Sequence, residues 1–313
     1  MGMKRLTRET LVGPWAGLPV AWTEGCEVDE QTYRSDVARC CRAGIPGVYS
    51  GGTTGEFYAM EMDEFRLIAR ATVEECHAQG KPAMIGCSST YTLGAARRAG
   101  FAAETGADAV QAALPFWMEV DDRGIVPFFK EISAAAPGLA LSVYETVRAR
   151  KNLTLELHLA IKDSVPDYLM VKATAGTIGT TPDGCRALAA FINVFVSETL
   201  WADLGPHGAR GSCSAMVYWN PRVVLSLWEK LTAGDWPGLA ADLRPVDGLH
   251  RFLFEHYGTK GFTDTAFDRL GGRASGFLHT SLRNRGPYIS ATEEDVRKLR
   301  EWYREHFPGM LIL

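Results

Sequence analysis

Short apolar runs recurring at roughly thirty-residue intervals, with longer amphipathic stretches between them, limit what this chain can fold into more than any other feature. The runs are PWAGLPVAW (14–22), GIPGVYSGG (44–52), PAMIGCSS (82–89), AVQAALP (109–115), LALSVYE (139–145), YLMVK (168–172) and VFVS (194–197). They are apolar throughout rather than alternating, as expected of parallel strands covered by helices on their outer face. The intervening stretches carry helical signals. In EFRLIARATVEEC, residues Phe65, Ile68, Ala69, Thr72 and Cys76 share one face at a 3.6-residue period. Thr181 before Pro182, and Asn220 before Pro221, each read as an N-cap followed by proline in the first turn.

A weaker eighth strand around GARGSCSA (208–215) favours a closed (β/α)8 TIM barrel over an open doubly wound sheet. No GxGxxG follows the first run, which weakens a dinucleotide-binding fold and a nucleotide-dependent oxidoreductase with it. Residues 221–313 hold more helix than one closing helix requires. The reading is therefore a barrel with its active site over 1–220, then the last barrel helix and a helical C-terminal extension over 221–313. The final helix should open on a capping box at Thr292 and Asp295.

Composition excludes several classes. With 22% charged residues and a net charge of −4, and no basic run with interleaved aromatics, nucleic acid is not an expected partner. No stretch reaches the ~18 apolar residues of a membrane span, and MGMKRLTRET lacks the apolar centre of a signal peptide. A cytoplasmic location is expected. Seven cysteines with no CxxC point to reduced packing residues rather than disulfides or zinc.

In a TIM barrel, function sits at the C-terminal ends of the strands. The polar residues ending these runs are Thr53, Thr54, Tyr144, Glu145, Lys172, Ser197 and Glu198, with Arg210 near the eighth. They lack metal-ligand spacing, so no metal is expected. They suit amine chemistry on a carbonyl. Desolvation favours the free amine of a lysine, which can attack a ketone and form an imine. On that reading Lys172 is the nucleophile and Tyr144, on the adjacent strand, a proton shuttle. GGTTGE (51–56) offers backbone N–H groups at Gly52 and hydroxyls at Thr53 and Thr54 to hold a carboxylate.

GVYSGGTTGEFYAM (47–60), SVY (142–144) and MVKATAG (170–176) resemble motifs of the dihydrodipicolinate synthase/N-acetylneuraminate lyase family of class I aldolases, and the resemblance covers nearly the whole chain. It implies a Schiff base between Lys172 and pyruvate or another 2-oxo acid, with Tyr144 relaying protons and Thr53 and Thr54 binding the carboxylate and completing the relay. It also implies no cofactor and a homo-oligomer, a tetramer or dimer. Departures from the family pattern point to an altered substrate. Glu145 stands where Asn is usual, Phe116-Trp117 replaces a tyrosine common in synthases, and Arg210 replaces an aliphatic residue. Glu145, Arg148, Glu198 and Arg210 are expected to form a polar second-substrate pocket, narrowed by Trp117 and Trp219. The leading function is a Schiff-base lyase or synthase that makes or breaks a C–C bond. A dehydratase or deaminase using the same imine on a sugar-acid or hydroxyproline-derived substrate is the alternative, and a non-catalytic 2-oxo-acid-binding barrel is a third reading.

Overall fold

The computed structural model describes residues 4–312; Met1 to Met3 of the opening segment, and Leu313, lie outside the described residues. Eight parallel strands close into a barrel in sequence order: β1 (Gly13–Gly17), β2 (Gly47–Ser50), β3 (Ala83–Gly86), β4 (Ala109–Ala112), β5 (Ala140–Tyr144), β6 (Tyr168–Lys172), β7 (Asn193–Phe195) and β8 (Ala209–Ser214). Closure is direct, with Gly13 of β1 opposite Gly211 of β8. The barrel helices are α1 (Glu30–Arg42), α2 (Met62–Ala78), α3 (Thr92–Thr105), α4 (Asp122–Ala135), α5 (Leu155–Ser164), α6 (Pro182–Ala189) and the short α7 (Trp201–Leu204). After β8 come α8 (Met216–Trp219), α9 (Pro221–Ala233), α10 (Trp236–Tyr257), α11 (Asp264–Ser275) and α12 (Glu293–His306). The expected (β/α)8 barrel with a C-terminal helical extension is what the chain forms.

Local signals act where the sequence puts them. Thr181, Asn220 and Thr292 cap α6, α9 and α12, the last through the capping box with Asp295. The predicted apolar face of α2 is buried along its length. The first strand stops short of its apolar run. Leu18 N–H still donates to the Tyr49 carbonyl, but Pro19 has no N–H to continue the ladder. All seven cysteines are free.

One side chain from each strand fills the barrel interior: Trp15, Tyr49, Met84, Ala109, Ala140, Met170, Phe195 and Cys213. Because side chains alternate along a strand, this layer sets what points inward above it. Two residues beyond Met170 is Lys172, and four beyond Ala140 is Tyr144. The interior thus turns from apolar to polar toward the strands' C-terminal ends. Gln111 donates to the Ser142 hydroxyl at 2.9 Å beneath them. Among the described residues, no helix is long and apolar enough to cross a membrane, and no cluster of three or more His, Cys, Asp or Glu is arranged to hold a metal ion.

Candidate active site

Lys172 ends β6 directly opposite Tyr144, the last residue of β5. Its Nζ lies 4.2 Å from the centroid of the Tyr144 ring and 5.7 Å from that of Tyr49. The lysine is half-buried, and a cavity of about 400 Å³ opens beside it, lined also by Tyr144, Thr174, Ser197, Cys213 and Ser214. The amine is therefore partly withdrawn from water yet open to a small molecule.

The Gly-rich turn after β2 brings the two threonines to the same mouth, by backbone geometry that side chains would block. Gly51 has a φ of +69°, and a Cβ there would come within 2.8 Å of the Gly86 carbonyl oxygen. A Cβ on Gly52 would lie 2.3 Å from the Tyr49 hydroxyl. The threonines then divide. Thr53 Oγ1 lies 3.2 Å from the Tyr144 hydroxyl, whereas Thr54 Oγ1 donates to Asp268 Oδ2 at 2.6 Å. The hydroxyl in contact with Tyr144 is thus that of Thr53, and Thr54 is held by a carboxyl on α11.

The turn is fixed from the far end of the chain. Glu56 is fully buried and pairs with the equally buried Arg269 of α11, with Trp22 Nε1 and the Arg285 N–H as further donors to its carboxylate. Breaking one side of a buried pair of this kind costs about 3–5 kcal/mol, so the extension holds the mouth in shape.

Two expected pocket residues lie elsewhere. Glu145 follows Tyr144 and so faces the opposite way, toward α5. Its Oε1 accepts the Leu153 N–H at 3.0 Å, and its Oε2 lies 3.4 Å from His158 Nε2. His158 Nδ1 in turn lies 2.7 Å from the buried Tyr168 hydroxyl. Arg210 is exposed, because Gly211 and Cys213 take the inward positions of β8. Neither lines the second-substrate pocket that the sequence predicts. Trp117 is exposed, while Trp219 lines a cavity between β8 and the extension.

Arg148 and Glu198 do reach cavities at the mouth. Arg148 borders one of about 290 Å³ with Thr53, Phe57, Tyr58, Phe116 and Tyr144, and pairs with Asp264 at 3.0 Å. Glu198 is buried in the turn after β7, which raises its carboxyl, and its Oε2 has no hydrogen-bond partner among the described residues. Sequence reasoning missed Asp268, whose carboxyl burial pushes up to about 7. It also missed Tyr218, 3.5 Å from Thr54 Oγ1. The one signal available for Asp268 and Arg269 was an adjacent pair of opposite charges in the middle of a helix rich in small and apolar residues.

Over 283 residues the chain is 25% identical to a 4-hydroxy-tetrahydrodipicolinate synthase of Rhizobium meliloti (strain 1021), covering 90% of this chain and 93% of that protein. Over 297 residues it is 27% identical to a Streptomyces coelicolor protein named "Probable 5-dehydro-4-deoxyglucarate dehydratase 1", covering 93% and 88%. Among solved structures, YagE, a dihydrodipicolinic acid synthase family protein from E. coli K12 in complex with pyruvate, superposes with a TM-score of 0.84 at 17% identity, over 94% of this chain and 98% of that one. The Dihydrodipicolinate synthetase family matches residues 15–300, and the chain belongs to that family.

Proposed function

We propose that the protein is a Schiff-base-forming lyase or synthase of the class I aldolase type, acting on pyruvate or another 2-oxo acid. The observation that carries this reading is Lys172, free of any ion pair among the described residues, facing Tyr144 across adjacent strands with an open cavity beside both. The amine adds to the ketone carbon and water leaves, giving an imine. As the imine takes up the electron pair of a breaking C–C bond it becomes an enamine; in the reverse direction the enamine carbon attacks an aldehyde. Tyr144, backed by Thr53, moves the proton to or from the oxygen of the reacting carbonyl. Gly52, Thr53 and Thr54 hold the carboxylate through N–H and hydroxyl groups. The similarly folded protein described in complex with pyruvate supports that substrate.

A dehydratase running through the same imine is the second reading, favoured by the relative of that name at 27% identity. Its first step is the same. We further propose a cytoplasmic homo-oligomer, in which the exposed Trp117 and Met118 would be covered by a second copy.

The test is borohydride reduction in the presence of pyruvate, followed by mass spectrometry of the digest. The expected result is an adduct on the peptide containing Lys172, absent in Lys172→Ala. Reduction that leaves the peptide unmodified with every 2-oxo acid tried would overturn both readings.

A further inference from the structure

Between the ends of β7 and β8 and helices α10 and α11 lies a cavity of about 520 Å³ that the imine chemistry alone does not use. Ser197 and Ser214 border both it and the cavity beside Lys172, so the two are neighbours. Its walls are apolar: Met216, Trp219, Leu253, Phe254 and Phe267. The polar groups it presents are Glu198, Asp268 and Asp264, along with His250 and the two serines.

The electrostatics of this lining are selective. Among the described residues no lysine or arginine borders the cavity, and desolvation disfavours the charged form of the His250 imidazole against the opposing pull of Asp247. A second carboxylate or a phosphate placed here would lose its hydration and find no cation in the lining to replace it, while Asp264 already holds Arg148 at 3.0 Å. A polyhydroxylated chain would leave most of its hydroxyls against hydrocarbon, at the cost of their hydrogen bonds to water. An apolar body loses nothing on entry and covers the aromatic and aliphatic walls.

We propose that the partner of the Lys172-bound 2-oxo acid is an uncharged aldehyde with a largely apolar body, and that this cavity seats it. The inference rests on the Schiff-base reading given above. In the condensing direction the enamine carbon bonds to the aldehyde carbon, and the carbonyl electron pair moves to its oxygen, which takes a proton. Water then releases the product from Lys172. Cleavage is the reverse.

The test uses the full chain, saturating pyruvate, and five aldehydes: benzaldehyde, hexanal, glyceraldehyde, succinic semialdehyde and betaine aldehyde. Borohydride trapping of pyruvate is run first on the same sample. Without an adduct the underlying Schiff-base reading fails; with an adduct, the aldehyde profile judges the proposal alone. The expected result is a kcat/KM for benzaldehyde or hexanal at least about tenfold above the other three, within the range that pocket contacts of this kind supply. Preference for the polyhydroxy, anionic or cationic aldehyde, or turnover of none, overturns it. Phe254→Asp, at a position 77% exposed and so tolerant of change, places a charge on the rim. It is expected to raise KM for benzaldehyde about tenfold with the yield of pyruvate adduct unaltered. An unaltered KM removes the cavity from the proposal.

Discussion

Replacing Asp268 by asparagine removes a single carboxyl from the floor of the site while keeping an oxygen that the Thr54 hydroxyl can donate to. Burial raises the native carboxyl from 3.8 to about 7, against opposing contributions from Thr54, Lys172 and Tyr218, while Asp264 adds to the rise. The sign follows from which state holds the proton. Between about pH 4 and 7 the unfolded chain has ionised here and the native chain has not, so this group's contribution to stability is full below about pH 4 and falls as pH rises to about 7. Three pKa units correspond to about 4 kcal/mol in all, of which about 3 kcal/mol falls between pH 5 and pH 8. Urea unfolding of both proteins at those two pH values isolates it, because Glu198 and every other titrating group are common to the pair. The wild type should lose up to about 3 kcal/mol more than Asp268→Asn over that interval. There is a functional counterpart. An ionised Asp268 puts a negative charge behind the Thr54 hydroxyl and repels a docking carboxylate, so pyruvate trapping should fall above about pH 7 in the wild type relative to the variant. Parallel stability curves for the two proteins would refute the reasoning.

Thr53→Val keeps the shape of the turn but severs the 3.2 Å contact with Tyr144, and steady-state assays should show kcat reduced by about 10² or more with KM for pyruvate changed less. Glu145→Ala leaves the Leu153 N–H and His158 without their buried partner, and should cost about 1–3 kcal/mol in urea unfolding. The same variant should still form the pyruvate adduct on Lys172, since Glu145 faces α5 and not the cavity.

The sequence reaches furthest where information is local. The apolar runs, the N-caps at Thr181, Asn220 and Thr292, and the covered face of α2 are each written within a few residues, because helix and strand periods and capping bonds act over one or two turns. Parity along β5 held the signal that the expectation for Glu145 missed: a residue next to the inward Tyr144 must point outward, and Glu145 does, although the sequence reading placed it in the pocket. Arg210 was harder, since its facing depends on the shift in register between β7 and β8 at Val194/Phe195.

The sequence alone determined an eight-stranded barrel of parallel strands, and it put a lysine, a tyrosine and a Gly-Thr turn at one rim of it. Tertiary structure alone decided which threonine meets Tyr144, and that Asp268 and Arg269 descend on the turn across 214 and 213 residues of chain. The reason is physical: period and capping fix each element by itself, but the pairing of α11 with the turn after β2 is a contact between surfaces that exist only once the barrel has closed.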